Sequence, residues 1–379
     1  MDRTVFIKRV KELRRRLAEM PADAVWIIRP ENRRYLSGFR ADDTLFTESS
    51  GSLLINKERS VLVTDSRYTT EAENEAIDFE VITLKQDFIE PFCGLLSGMG
   101  ITNLAFEEDY LPWGLHHQLS ERLGAFSPPI CLIPSDGVLE EMREVKDTAE
   151  IKALEASADL ISAVLDEVIA GLKTGTTEKA IAWQIEGLAR DAGAEGLAFP
   201  SIVASGPNSA LPHAVPTERK IKPGEPVTLD VGARLEGYCS DMTRTIFLGS
   251  PIPEFKEIYA VVRRAQLAAL ENIYPGVESS HPDAVARQVI GDAGYGKYFG
   301  HSLGHGVGLA AHERPRLGPQ KPVKLKTGMI VTVEPGIYIP GKGGVRLEEM
   351  VVIEENGPRI LTRNDHFYDF QVTDQQGET

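Results

Sequence analysis

Two well-separated segments of the chain carry the same pattern. In the first, His213-Ala214-Val215-Pro216 precedes Lys222-Pro223-Gly224-Glu225-Pro226-Val227-Thr228-Leu229-Asp230. In the second, His312-Glu313-Arg314-Pro315 precedes Lys326-Thr327-Gly328-Met329-Ile330-Val331-Thr332-Val333-Glu334. Each reads His-x-x-Pro, then Lys-x-Gly-x-x-Val-Thr, an apolar residue and a carboxylate. Each is trailed by a second strand-like run with its own acid, Asp241 or Glu348. A carboxylate inside an apolar strand is costly unless something positive meets it. Two hairpins related by duplication can aim all four acids at one point, which constrains the fold to a pseudo-twofold arrangement around a shared cation site.

Strand side chains alternate faces, so Thr228 and Asp230 point one way while Val227 and Leu229 point the other. On the return run Asp241, Thr243 and Thr245 share a face. With Glu236-Gly237 as the turn, Asp230 and Asp241 are expected opposite each other. Glu334 and Glu348 are joined by Pro340-Gly341-Lys342-Gly343-Gly344. Four such carboxylates repel. One divalent ion leaves an excess of negative charge, whereas two balance the set, as in a two-metal hydrolase. A nitrogen ligand is then expected, and His305 stands in Gly304-His305-Gly306-Val307-Gly308, where glycines let the backbone approach a crowded site. Mostly oxygen ligands with one imidazole favour Mn²⁺, with Co²⁺, Fe²⁺ and Zn²⁺ also open. The same glycines lack the following Lys-Ser or Lys-Thr of a phosphate loop.

A length of 379 residues predicts two domains. The turn formers Ile133-Pro134-Ser135-Asp136-Gly137 place the boundary between domains 1–134 and 135–379. In the first domain we expect a helix over 3–20, its stripe formed by Phe6, Val10, Leu13 and Leu17 with basic residues opposite. A strand over 23–28, a hairpin of 52–55 with 60–63, and a strand over 103–106 complete a mixed α/β layer. In the second, Asp147 and Glu150 are spaced as a capping box opening a long helix. Further helices are expected over 178–192, 254–273 and from about Pro282 to Gly294. The order helix, helix, strands thus occurs twice. The polar tail 375–379 is expected to be disordered.

A net charge of −15 argues against nucleic acid or an anionic membrane as partner. No stretch approaches the roughly 18 consecutive apolar residues of a membrane span. Charges run through residues 2–9, where a signal-peptide core would lie, and the three cysteines, Cys93, Cys131 and Cys239, are odd in number and widely spaced. A soluble cytoplasmic protein is expected.

Leu229-Asp230-Val231-Gly232, Ser240-Asp241-Met242-Thr243-Arg244-Thr245, Leu303-Gly304-His305-Gly306-Val307-Gly308-Leu309, Val333-Glu334-Pro335-Gly336-Ile337-Tyr338 and Val345-Arg346-Leu347-Glu348-Glu349 together resemble the pita-bread metallopeptidases. That family includes prolidase, aminopeptidase P and methionine aminopeptidase, with metal-free creatinase as a relative. Asn32-Arg33-Arg34-Tyr35-Leu36-Ser37-Gly38-Phe39 and Thr64-Asp65-Ser66-Arg67-Tyr68 resemble the creatinase-type N-terminal domain. One departure is Glu348-Glu349, where the family more often shows Glu-Asp. The resemblance implies an α/β (α+β) architecture, with a creatinase-like domain before a pita-bread catalytic domain containing an internal pseudo-twofold repeat.

It also implies roles. Asp230 would chelate one metal, His305 and Glu334 the other, and Asp241 and Glu348 would bridge both. Glu334 would carry the proton. His213 and His312 would grip substrate and stabilise the tetrahedral intermediate, a structural hydrogen bond being the rival role for each. Arg346 would orient the bridging carboxylates from outside the ligand set, and His301 would shape the pocket or simply pack its loop. The extra N-terminal domain and the intact ligand set imply an Xaa-Pro dipeptidase acting on short proline-containing peptides. The alternatives are an Xaa-Pro aminopeptidase, a hydrolase of another small C–N substrate and a non-catalytic peptide-binding protein. Resemblance further implies a homodimer, with residues 40–50 reaching the partner's site. Of the remaining residues, His281 is expected at a helix start, His116 and His117 on a solvated helix face, His366 in packing, and Cys239 near a turn.

Overall fold

The computed structural model describes residues 3–42, 49–84 and 88–370. Part of the 40–50 segment and all of the 375–379 tail lie outside the described residues. The chain packs as two compact units, Met1–Arg143 and Glu144–Thr379.

In the first unit a mixed six-stranded sheet runs in the order Glu80–Leu84, Ser60–Asp65, Ser52–Asn56, Ala24–Ile27, Asn103–Phe106, Cys131–Pro134. The expected hairpin forms, with Leu53 opposite Leu62 and Leu54 opposite Val61. Ile133 and Pro134, read as turn formers, instead end an edge strand, where proline's missing N–H removes no ladder bond. Trp26, Leu54, Phe92, Leu104 and Leu119 fill one face. Helix Arg3–Leu17 buries Val10, Leu13 and Leu17 as expected, but Arg9 on its supposed basic face is buried too. The Arg9 guanidinium lies 4.0 Å from the Tyr35 ring centre and donates to the Tyr35 carbonyl at 3.0 Å. Gly38, at φ 79°, closes helix Pro30–Ser37 in a left-handed turn that other residues adopt with strain.

The second unit repeats itself. Its first half has helices Thr148–Gly171 and Glu178–Asp191, then strands Ile202–Ser205, Pro226–Val231 and Met242–Phe247. A short hairpin, Ala233–Leu235 with Tyr238–Cys239, interrupts the last two. Its second half has helices Pro253–Leu270 and Ser280–Asp292, then strands that include Ile330–Val333 and Glu349–Glu354. Here the interrupting hairpin is Gly336–Ile339 with Gly343–Arg346. The capping box is present: the Asp147 side chain accepts from the Ala149 and Glu150 amides, and Glu150 accepts from the Asp147 amide. Each half has its own core, with Ile161, Leu165, Ile185 and Leu229 in one and Ile258, Val262, Ile290 and Val331 in the other.

This repeat moves the acids from where alternation put them. Only Asp230 lies within a strand; Asp241, Glu334 and Glu348 stand just beyond strand ends, where the main chain leaves or rejoins the longer ladder. Asp230 faces Thr243 rather than Asp241 across the pair. The cause is the interrupting hairpin, which takes up more residues than a tight turn and shifts the return strand. At the second break Pro335 offers no N–H to prolong the ladder past Glu334.

Candidate metal centre

The two strand breaks face one another. Oxygens of Asp241 and Glu348 and a ring nitrogen of His305 all lie within 4.8 Å of one another. His305 Nε2 is 3.7 Å from Asp241 Oδ2 and 3.4 Å from Glu334 Oε1. Asp230, Asp241 and Glu348 are buried, and Glu334 is half-buried. Gly304, Gly306 and Gly308 make the approach of His305 feasible. A Cβ on Gly304 would stand 2.0 Å from the Thr332 carbonyl oxygen, and one on Gly306 2.2 Å from that of Arg314.

The tautomer of His305 follows from its neighbours. Its Nδ1 lies 3.0 Å from the Gly306 carbonyl, which can only accept, so Nδ1 carries the proton and Nε2 turns a bare lone pair toward the acids. Burial holds the His305 pKa down to about 3, so the ring is neutral at physiological pH. Burial also pushes the Glu334 carboxyl up to about 8. Asp241 and Glu348 are raised well above the usual range by burial and by repulsion from the neighbouring acids. Without cations these groups would hold protons. Two oxygens, Asp230 Oδ1 and Glu348 Oε1, are buried with no hydrogen-bond partner. Repulsion, orphaned oxygens and a neutral imidazole together fit a divalent metal, which would satisfy what the protein leaves unsatisfied.

One guanidinium organises the surroundings. Arg346 Nη2 donates to Asp230 Oδ2 at 2.6 Å, and Nε donates to Thr243 Oγ1 at 3.1 Å. Thr243 Oγ1 passes its own proton toward Glu348 Oε2 at 2.7 Å. Arg346 Nη1 donates to the Tyr338 hydroxyl at 3.0 Å and to the Pro212 carbonyl at 3.1 Å, next to His213. The Tyr338 hydroxyl then donates to His301 Nε2 at 2.8 Å, while His301 Nδ1 donates to the Ser302 carbonyl at 2.8 Å. Arg346 therefore touches Asp230 directly and reaches Glu348 through Thr243. Burial holds His301 down to about 4, so this chain of donors runs through a neutral ring.

His312 packs its ring 4.0 Å from that of His305, and it senses both Asp230 and His213 electrostatically. Burial pulls the His312 pKa down. His213 is exposed on the segment after Ala210. Other histidines lie apart from this cluster: His281 is in the first turn of helix Ser280–Asp292, and His366 pairs with Asp166 at 3.2 Å. His117 is exposed on helix Trp113–Gly124, and His116 packs against Phe106. Cys239 is buried, its thiol 3.7 Å from the Leu309 carbonyl.

Three supporting groups went unassigned from sequence: Thr243, Thr332 and Tyr338. Thr332 Oγ1 lies 3.3 Å from Glu334 Oε1 and accepts from the His305 amide at 3.1 Å. Thr243 and Thr332 each sit two residues from an acid on the same strand parity, a signal that was available. Glu349, the departure noted above, points away from the acids and meets the fully buried Arg244 at 3.2 Å.

Residues 9–145 match the creatinase/prolidase N-terminal domain, and residues 152–355 match metallopeptidase family M24. The chain is 36% identical to the Xaa-Pro dipeptidase of Pyrococcus horikoshii over 94% of its own length and 97% of the relative's. The solved Xaa-Pro dipeptidase of Bacillus anthracis superposes with TM-score 0.87 at 37% identity, covering 94% of this chain and 98% of that one. The X-Pro aminopeptidase of Thermotoga maritima superposes with TM-score 0.81 at 38% identity, covering 94% and 97%. Among the described residues no helix is long and apolar enough to cross a membrane. Two domain matches in order, near-complete coverage of relatives and an acid–imidazole cluster at the duplicated strand breaks agree: the chain belongs to the pita-bread metallopeptidases of family M24, divalent-metal-dependent hydrolases, and carries a creatinase/prolidase-type N-terminal domain.

Proposed function

We propose that this protein is an Xaa-Pro dipeptidase that holds two divalent ions, Mn²⁺ by preference, and cleaves the peptide bond before proline. The observation that carries the metal-dependent reading is the gathering of Asp241, His305 and Glu348 beside two orphaned carboxylate oxygens. The proline-directed reading draws on the relatives, whose names agree on Xaa-Pro and differ only in peptide length.

In this reading Asp230, Asp241, His305, Glu334 and Glu348 would hold the ions. When bound, the ions supply Lewis-acid polarisation of the scissile carbonyl and acidify a water. The protein does the rest. Arg346 fixes Asp230 with one arm and Glu348 through Thr243 with another. His305 keeps Nε2 unprotonated by donating Nδ1–H to Gly306. Glu334 takes a proton from the attacking water and delivers it to the leaving proline nitrogen. His213 and His312 donate to the developing charge on the carbonyl oxygen. His301, held neutral between Tyr338 and Ser302, forms pocket wall. Arg346 thus acts on Asp230 directly and on Glu348 through a threonine.

Xaa-Pro aminopeptidase activity on longer peptides is the second reading, favoured by the Thermotoga maritima likeness. We place the enzyme in the cytoplasm as a homodimer. A purified sample loaded with Mn²⁺ is assayed on Gly-Pro, Ala-Pro and tripeptides with proline second. Fast hydrolysis of the dipeptides alone is the expected result. Cleavage mainly of the tripeptides selects the aminopeptidase, and cleavage of neither defeats both. Light scattering is expected to give a dimer mass; a monomer at working concentration removes that part.

A further inference from the structure

Away from the metal ligands, Glu178 is fully buried at the start of helix Glu178–Asp191, and its carboxylate is crowded with donors. Oε1 accepts from the Ser205 amide and hydroxyl, both at 2.7 Å, and from Asn208 Nδ2 at 3.1 Å. Oε2 accepts from the Thr217 amide at 3.0 Å, its hydroxyl at 2.6 Å, and Asn208 Nδ2 at 3.0 Å. These partners come from the two ends of one segment. Between Ser205 and Thr217 the chain makes a 3-10 turn, Gly206–Ala210, and then presents Leu211, Pro212, His213 and Val215. One side chain thereby closes the base of the loop that carries His213.

Three further anchors lie between those ends, the first being the buried Ser209 hydroxyl, which accepts from the Gly344 amide at 2.8 Å. The Pro212 carbonyl accepts from Arg346, and Ala214 is buried against Ile202 and Ala204. Leu211 and Val215 on either side are 59% and 79% exposed, so little apolar packing holds the crest of the loop. Its position therefore depends on these anchors, the Glu178 clasp at its base among them. The second half of the molecule uses the same device: buried Asp283, in the first turn of helix Ser280–Asp292, accepts from the Leu303 amide at 2.9 Å. Asp283 also pairs with Arg287, which donates to the carbonyls of Phe299 and His301. In both halves an acid at a helix start grips a segment bearing a histidine of the site.

We propose that Glu178 is a positioning residue for catalysis: by tying Ser205 and Asn208 to Thr217 it sets where His213 meets the substrate. This rests on the reading of His213 given under the proposed function. Burial pushes the Glu178 carboxyl up, but the Thr217 and Ser205 donors outweigh it and keep the group ionised, as so many donors require.

The test compares Glu178→Gln, His213→Ala and the double variant in the full-length, Mn²⁺-loaded protein. Glutamine keeps the shape but turns an NH₂ group toward donors. Expected are a fall in kcat/KM on the order of 10–100-fold for Glu178→Gln, unchanged metal content, and a double variant no slower than His213→Ala alone. Hydrogen exchange at the Ser205 and Thr217 amides is expected to accelerate. This last readout needs no activity, so it still judges the Glu178 clasp if the wild type cleaves no Xaa-Pro substrate and the functional reading fails. Should Glu178→Gln not fold, Asn208→Ala with Thr217→Val removes donors instead and carries the same expectations. Losses that multiply in the double variant, wild-type kinetics, or unchanged exchange would each overturn the proposal.

Discussion

At the scale of single residues, the centre is a problem in charge. Four acids in one place are tolerable only when cations or protons neutralise them, and Arg346 is paired directly with one of them, Asp230. Replacing His305 by Ala or Glu348 by Gln removes a proposed ligand. We expect the metal measured per chain to fall and kcat to drop by at least about 100-fold, with folding retained. A normal metal complement in both variants would show that the ions sit elsewhere. Arg346→Lys keeps the charge but loses the planar fork that reaches Asp230, Thr243, Tyr338 and Pro212 together. Its kcat/KM is expected to fall by roughly 10–100-fold. Retained activity would mean that charge alone suffices there.

At the scale of elements, glycines report how closely strands approach. A Cβ on Gly304 would meet the Thr332 carbonyl oxygen at 2.0 Å, and backbone cannot swing aside as a side chain can. Gly304→Ala is expected to destabilise by about 1–3 kcal/mol through overpacking and to displace His305. Gly187, within helix Glu178–Asp191, has nothing within 4 Å of its would-be Cβ. Gly187→Ala should therefore stabilise by about 0.5–1 kcal/mol. Denaturant midpoints of the two variants, measured side by side, check both signs. The elements themselves were readable: the helix stripes, the capping box and the hairpin 52–65 follow from periodicity and turn residues. Strand parity was less informative, since Asp241 and Glu348 stand where parity is interrupted by the inserted hairpins.

At the scale of the whole molecule, folding and ligation are linked. An ion that binds only the folded chain adds stability in proportion to the logarithm of its concentration over Kd. Chelation followed by calorimetry should lower the melting temperature of unit Glu144–Thr379, and re-addition of Mn²⁺ should restore it; an unchanged transition would argue against a metal held by the native cluster. A second linkage belongs to the N-terminal unit. Burial pushes the Glu107 carboxyl up to about 7, against donors from Asn32 and from the Arg29 and Ile28 amides. Its folded value is raised over the ordinary 4.5, so the stability it contributes is complete below pH 4.5 and is lost as pH rises through about 7. Relative to Glu107→Gln, the wild-type protein should become less stable as pH rises across that window. Parallel pH profiles for the two proteins would refute the assignment.

Sequence alone determined the duplicated motif, the alternation of helices and strands, the acids and imidazole, and the glycines around His305. Each of these is local: period, turn chemistry and residue type act over a few positions. Only the tertiary structure decided that Arg346 holds Asp230, that Thr243 passes its reach on to Glu348, and that Glu178 closes the loop of His213. Those bonds join residues far apart in the chain. They depend on how the two halves pack and on the offset imposed by the inserted hairpins, and neither is encoded in the spacing of any one segment.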